Sequence, residues 1–185
     1  SSTQIKTLEK NCKDFGIKYD LRTKVEIYQD LKKDDPNVVI AYRASLAKEK
    51  NMEFHTFSGA SNSKTIHCNE NGYFSIYQSD RHGFNNPDEE WDKNVIDFLL
   101  VGDSMTHGAC VNRPYDIASN LRLLKKNENG VLNLGFKGMG PLIEYAVLRE
   151  YLKNKNVKNI LWMYFEGNDL LNLQGELSFP ILLKY

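Results

Sequence analysis

The stretch LLVGDSMTHGACV, residues 99–111, contains residue types that could do chemistry. An apolar run stops at Gly102, and an aspartate, a serine, a threonine and a histidine follow within the next five positions. Ser104 is the candidate nucleophile, but a neutral serine hydroxyl attacks weakly until a neighbouring base removes its proton. The alternative is that Ser104 only caps the helix that follows it, which is a common role for serine. Nucleophilic catalysis therefore requires oxyanion donors and a base from elsewhere in the chain.

Two further polar stretches could supply the oxyanion donors. NLGFKGMG at 133–140 and EGND at 166–169 each follow an apolar run, as GDSMTHG does. Ser104, Gly138 and Asn168 are 34 and 30 residues apart, which is about one strand and one helix per interval. We therefore expect them to meet at one rim of a parallel sheet, where two backbone N–H groups and the Asn168 amide could hold a negatively charged oxygen. Asn168 could instead be a simple turn residue.

The elements that would position these residues lie in the second part of the chain, where strands and helices alternate. The pattern predicts, in order, a strand at 94–104, a helix at 113–126, a strand at 131–135, a helix at 141–154 and a strand at 158–165. This β-α-β-α-β order predicts a parallel sheet with right-handed crossovers. Trp162, Tyr164 and Phe165 belong to the third strand and are expected in the core.

The first part of the chain is more polar and less regular, and its texture changes near residue 95. Helices are predicted at 3–14 and 22–33, a short strand at 37–42, and one or two hairpins with long loops over 54–91. We therefore expect residues 1–94 to form an irregular α+β extension that packs on the core. Within it, SDRHGFNNPDEEW at 79–91 is rich in turn formers and indicates a long loop, although Arg81 and His82 could form a lid or a substrate wall.

Together the three polar stretches resemble the sequence blocks of the SGNH hydrolases, also called the GDSL esterase/lipase superfamily. GDS at 102–104 matches the first block, although Met105 replaces the usual leucine; NLGFKG at 133–138 matches the second and GND at 167–169 the third. The resemblance covers residues 95 to about 172. The stretch GDSMT at 102–106 differs from the G-x-S-x-G elbow of α/β-hydrolases, because Thr106 stands where the second glycine would be.

The resemblance implies a fold and a set of residue roles. The expected fold is the three-layer α/β/α, flavodoxin-like SGNH hydrolase fold, of which residues 95–185 would be the N-terminal portion. Ser104 would be the nucleophile, and the oxyanion hole would consist of Ser104, Gly138 and Asn168. Asp103 would be a supporting acceptor that stabilises the loop. The family requires neither a metal nor an organic cofactor.

The fourth block of the family, D-x-x-H, departs from this pattern. The chain contains four histidines, and none has an aspartate three residues before it: His55, His67, His82 and His107. His107 follows Ser104 by three residues and could face it on one helical turn, but the family's base comes from elsewhere. The family sheet has about five strands and only three are predicted here. We therefore expect the catalytic histidine, its aspartate and the rest of the fold beyond Tyr185.

The function expected from this resemblance is a serine esterase or deacylase that cleaves carboxylic esters through an acyl-serine intermediate. Its partner would be a small-molecule or glycan ester, with carbohydrate O-acetyl groups as a plausible case. One alternative is an O-acyltransferase that uses the same site with an alcohol acceptor. Another is a binding module that keeps the fold but lacks the base.

Composition removes other classes of function. Lys+Arg and Asp+Glu both number 24, so no basic excess favours nucleic acid and no polybasic arm favours anionic lipid. The longest apolar run, VIDFLLV, is interrupted by Asp97 and falls short of the ~18 residues that a membrane helix needs. Oligomeric state and compartment stay open.

The three cysteines predict no framework of disulfides and no zinc site. Cys12, Cys68 and Cys110 are odd in number and far apart, and none forms C-x-x-C. We therefore expect three free, mostly buried thiols, with Cys110 packed near the candidate site.

Overall fold

The computed structural model describes residues 2–41, 56–126 and 128–185, so His55 lies outside the described residues. The α-helices are α1 Ser2–Asp14, α2 Lys24–Lys32, α3 Ser104–His107, α4 Ile117–Leu124, α5 Pro141–Tyr151 and α6 Asp169–Glu176. The strands are β1 Val38–Ile40, β2 Lys64–Ile66, β3 Ile76–Gln78, β4 Ile96–Gly102, β5 Gly130–Asn133 and β6 Val157–Met163. Short 3-10 helices lie at Asp88–Asp92 and Leu182–Lys184. The protein is therefore a mixed α/β protein.

The second part of the chain folds as the alternation of its elements predicts. β4 pairs in parallel with β5 on one side and with β6 on the other, so the strand order is β5-β4-β6. Successive side chains of β4 point to opposite faces of the sheet. Leu99 packs in a cluster with Ile143 and Val147 of α5, whereas Leu100 packs with Ala118 of α4. One helix thus covers each face of the β4–β5 pair.

The outer edge of β5 is blocked by buried polar side chains. The backbone N–H of Val131 donates to Glu90 Oε2 at 2.7 Å, and its carbonyl accepts from the Arg122 guanidinium at 2.7 Å. Asn86 accepts from the N–H of Asn133 at 2.8 Å and donates to its carbonyl at 2.9 Å. These side chains occupy the hydrogen-bonding groups that another strand would need, so the sheet cannot extend beyond β5.

The opposite edge, β6, has no such cover among the described residues. Within the described ranges β6 pairs only with β4, and its side chains Ile160 and Trp162 are 46% and 49% exposed. Tyr164 and Phe165, which follow the strand, are also exposed. The prediction that Trp162, Tyr164 and Phe165 lie in the core was therefore wrong. The physical reason is that β6 is an edge strand, so its side chains are only partly covered even where Trp162 reaches Glu144 of α5.

The first part of the chain forms a second, smaller sheet. β1 pairs in parallel with β2, and β2 pairs antiparallel with β3, which is one of the predicted hairpins. Its core consists of Ile27 from α2 with Val38 and Ile66 from the sheet. α2 begins with a capping box between Thr23 and Glu26, which explains its start at residue 24.

A disulfide bond connects the two parts of the chain. Cys68, after β2, and Cys110, after α3, form the bond with their Cα atoms 5.0 Å apart. The prediction of three free thiols was therefore wrong for these two cysteines, whereas Cys12 is free and buried. No local sequence pattern identifies the pair, because the two cysteines are separated by 42 residues and come together only through the folding of the two parts of the chain.

The loop at 79–91 packs against the β5 edge of the sheet. The buried Asp80 carboxylate accepts four hydrogen bonds, from the N–H groups of His82 and Phe84 and from the side chains of Asn86 and Trp91. Arg81, considered above as part of a lid, forms ion pairs with Asp88 and Asp92, the first and last residues of the 3-10 helix Asp88–Asp92. The loop is consequently a structural part of the core.

Candidate active site

Ser104 lies where β4 passes directly into the four-residue helix α3. β4 ends at Gly102, Asp103 is the N-cap, and its side chain accepts a hydrogen bond from the N–H of Met105 at 3.0 Å. A side chain at position 102 would collide with Thr106 and with the backbone of Met163. Glycine at this position therefore lets the strand turn sharply and present Ser104, which is partly exposed, at the sheet edge.

Asp103 brings Ser104 and Asn168 together. Its Oδ2 atom accepts from the Ser104 hydroxyl at 3.3 Å and from the Asn168 amide at 3.2 Å. Asp103 itself is buried. Because an amide NH₂ has two hydrogens, this contact leaves one of them free to donate to a ligand.

The structure places Gly138 in the turn that follows β5, at the same edge of the sheet. The N–H of Phe136 donates to the carbonyl of Gly102 at 3.2 Å, which fixes this turn against the end of β4. Gly138 has φ of +82°, a conformation that favours glycine. Neither the N–H of Ser104 nor that of Gly138 donates a hydrogen bond to another residue in the described ranges. Both backbone donors are thus available.

Asn133 connects the ends of β4 and β5. Its amide donates to the carbonyl of Thr106 in α3 at 2.6 Å, and its Oδ1 accepts from the N–H of Gly135 at 2.9 Å. It is completely buried. The first residue of the NLGFKG stretch therefore holds the helix that carries Ser104.

Three buried carboxylates lie on the β6 side of the site, and sequence reasoning assigned no role to Glu144 or Glu176. Glu176 caps the start of α5 by accepting from the N–H groups of Gly140 and Leu142 at 2.5 and 3.0 Å. Asp169 accepts from the N–H of Phe165 at 2.6 Å, and burial raises its pKa. One oxygen of Asp169, Oδ1, has no hydrogen-bond partner among the described residues.

Glu144 is the most perturbed of these acids. Burial, and then the charges of Asp169, Glu176 and Asp103, raise its pKa to about 7, although Trp162 donates to its Oε2 at 2.6 Å. Its other oxygen has no partner in the described part of the chain. The sequence signal that could have identified Glu144 as buried was its helical spacing. It lies three and four residues before Val147 and Leu148, which are on the buried face of α5.

None of the three described histidines contacts Ser104. His107 is fully buried, with its Nε2 3.1 Å from the Tyr77 hydroxyl and its ring stacked on Phe136. The His67 ring lies 4.6 Å from the His107 ring, and burial lowers the pKa of both. His82, within the loop at 79–91, packs against the rings of Trp91 and Tyr151. The proton acceptor for Ser104 is therefore not among the described histidines.

A cavity of about 430 Å³ opens beside Ser104. Its walls include the Cys68–Cys110 disulfide, the exposed side chains of Met105 and Tyr115, and Lys137. The site therefore combines a hydroxyl, three potential oxyanion donors and a groove with both apolar and charged walls. Of the three candidate donor residues, Ser104 lines the cavity, whereas Asn168 is held beside it by Asp103 and is not one of its walls.

No group of three or more His, Cys, Asp or Glu side chains in the described ranges is arranged to hold a metal ion. Across residues 2–41, 56–126 and 128–185, every helix is too short or too polar to cross a membrane. Comparison of the chain with protein-family models, with curated proteins and with solved structures found no match.

Proposed function

We propose that this protein is a serine esterase or deacylase of the SGNH hydrolase type, with Ser104 as the nucleophile. The observation that carries the proposal is the meeting of the Ser104 hydroxyl and the Asn168 amide on Asp103 Oδ2, beside a groove. The unpaired N–H groups of Ser104 and Gly138 add support, because backbone donors in an oxyanion hole have to be free.

The proposed reaction has two steps. Ser104 Oγ attacks the ester carbonyl carbon while a base takes the hydroxyl proton, and the oxyanion is held by Ser104 N–H, Gly138 N–H and the Asn168 amide. The base then returns the proton to the leaving alcohol, which leaves an acyl-serine. Water, deprotonated by the same base, attacks the acyl group and releases the carboxylic acid and the free serine.

The base of this reaction is not one of the histidines that the structure describes, since none of them bonds to the Ser104 hydroxyl. It is either His55 or, as the family resemblance implies, a histidine paired with an aspartate beyond Tyr185. The strand order β5-β4-β6 corresponds to the first three strands of a flavodoxin-like sheet, and the open edge at β6 is where further strands would pair. The buried acids Glu144 and Asp169 on that side would stabilise a histidine that becomes positively charged during catalysis.

The absence of a histidine beside Ser104 in the described residues also favours a second candidate, a binding module without catalysis. In that case the groove would hold an ester-bearing ligand and release it unchanged. The two candidates differ in one observable property, the formation of an acyl-serine.

The test is the substitution Ser104→Ala in the full-length protein. We expect it to abolish hydrolysis of p-nitrophenyl acetate and covalent labelling by a fluorophosphonate, while the melting temperature changes little because the side chain is small and partly exposed. Ser178→Ala is the matched control, since Ser178 is exposed and bonds only to the carbonyl of Gly175. Activity and labelling of Ser104→Ala close to wild type would refute the proposed nucleophile, and an inactive, unlabelled wild type would favour the binding module.

A further inference from the structure

A second cavity, in the first part of the chain, adjoins the cavity beside Ser104. The second cavity has a volume of about 420 Å³, and the two share Cys68 and Glu70 as walls. Its other walls include Tyr19 and Lys24, which precede the sheet of β1–β3. We refer to the two adjoining cavities together as the groove; Ser104 lines one of them and Lys24, at the start of α2, lines the other.

Two lysines in this groove lack an acidic partner. In the described part of the chain no carboxylate lies within ion-pair distance of Lys137, in the first cavity, or of Lys24, in the second. Both can contact a ligand, because the Lys137 side chain is exposed and the Lys24 side chain, although partly buried, lines the second cavity.

The other charges that line the groove are mostly compensated locally. Arg22 forms an ion pair with Asp20 at 2.7 Å. Asp116 accepts two hydrogen bonds from Ser119, and its charge acts on Arg113. Glu70 remains as an exposed acid where the two cavities meet. The uncompensated charges of the groove are therefore two cations and one anion.

Nearby positive charges act on the ionisable groups behind the groove. After burial, the charge of Lys137 is what lowers the pKa of Lys24, and it also lowers the pKa of His67 and His107. No carboxylate offsets these shifts. On the opposite side of Ser104, the charges acting on Glu144 are all negative. Ser104 consequently lies between a positive side, at the groove, and a negative side, at β6.

We propose that the ester substrate carries an anionic group, such as a carboxylate, sulfate or phosphate, and that Lys137 and Lys24 bind this group in the groove. The inference rests on the proposed function only in taking the ligand to be an ester. The exposed side chains of Met105 and Tyr115 at the first cavity would contact the uncharged part of the same molecule. Lys137 and Lys24 would then determine specificity without taking part in the bond-making steps.

The test measures binding, so it does not depend on turnover. The probes are p-acetamidobenzoate and its neutral analogue p-acetamidobenzamide, whose amide bonds replace the reactive ester. Their affinities for the full-length protein are compared by NMR titration of the backbone amides around Lys137. At low ionic strength we expect the anion to bind about fivefold more tightly, the size expected for a solvent-accessible charge contact. Added salt should reduce this preference.

Variants assign the preference to its residues. Lys137→Gln and Lys24→Gln should each reduce the preference for the anion and together abolish it, whereas Glu70→Gln should increase it. Lys126→Gln is the control, because Lys126 is exposed and precedes β5, at the opposite end of the sheet. A third probe, p-acetamidophenyl phosphate, distinguishes a site for phosphate from a site for carboxylate.

Each possible result either supports or overturns the inference. Equal affinity for charged and neutral probes, no binding of any of the anions, or a preference that persists in the double lysine variant would overturn the inference. If Ser104→Ala kept full esterase activity while the lysine-dependent preference held, the proposed nucleophile would fail and the anion site would stand. If Ser104 proved essential and the preference were absent, the reverse would follow.

Discussion

The side-chain amide of Asn168 donates a hydrogen bond to Asp103 across 65 residues of sequence, at 3.2 Å. The contact joins the end of β6 to the turn that carries Ser104, and it orients the amide at the edge where the two free backbone donors lie. The buried carboxylate of Asp103 thus has two structural roles, since it caps α3 and holds the Asn168 amide in place. Neither role requires Asp103 to exchange a proton with substrate.

Substitution of Asn168 tests whether the amide acts in the transition state. As one oxyanion donor among three, Asn168→Ala should lower kcat by roughly 10²–10³ with little change in KM. Asn172→Ala is the control on the same helix, because that amide bonds to the carbonyl of Met139 instead. A change confined to KM would show that Asn168 contacts the substrate in the ground state.

Substitution of Glu144 should stabilise the protein at alkaline pH. Its pKa is about 7 in the folded state against an ordinary 4.5, so stability is lost as pH rises from 4.5 through 7. Glu144→Gln removes this loss, and above pH 7 the variant should gain up to about 3 kcal/mol in the free energy of unfolding. Thermal and urea unfolding between pH 4.5 and 8 would measure the gain, which should shrink toward low pH. Glu150→Gln, on the exposed side of α5, should show no such trend.

His67 should make the protein less stable in acid. Burial lowers its pKa from the usual 6.5 to about 4, so the folded state resists protonation that the unfolded state accepts. The contribution of neutral His67 to the free energy of unfolding is therefore fully present above pH 6.5. It is lost as pH falls toward 4, by up to about 3 kcal/mol. His67→Phe should make the dependence of unfolding free energy on pH in this range less steep, with the remainder coming from the buried His107, whereas His82→Phe should leave it as in the wild type. Parallel pH curves for wild type and His67→Phe would contradict this account.

The strands and helices that could be predicted are those determined by local sequence patterns. The apolar runs at β4 and β5 and the helical spacing in α5 predicted a parallel sheet, and the spacing of Ser104 and Asn168 predicted their approach at one edge. The Cys68–Cys110 pair, the raised pKa of Glu144 and the exposure of Trp162 could not be predicted in this way. Each depends on which distant element packs against the residue, and neither spacing nor composition carries that information.

The open edge at β6 leads to a last prediction, about association. Unpaired strand edges with apolar side chains tend to pair with other chains, and proteins usually block them with charges or cover. β5 is blocked by Glu90, Asn86 and Arg122, whereas β6 exposes Ile160 beside Trp162. We therefore expect the polypeptide of residues 1–185 to form oligomers through β6.

Ile160→Lys places a charge on this edge and should shift the polypeptide toward monomer in size-exclusion chromatography and sedimentation. The control is Leu124→Lys, since Leu124 is 78% exposed at the end of α4, away from β6, and its substitution should leave the oligomers unchanged. A polypeptide longer by roughly a hundred residues, enough to complete a domain of this size, should be monomeric and at least several hundredfold more active if it supplies both the strands and the base. A monomeric and fully active polypeptide of residues 1–185 would instead point to His55 as the base, because it is the one histidine whose surroundings are not described.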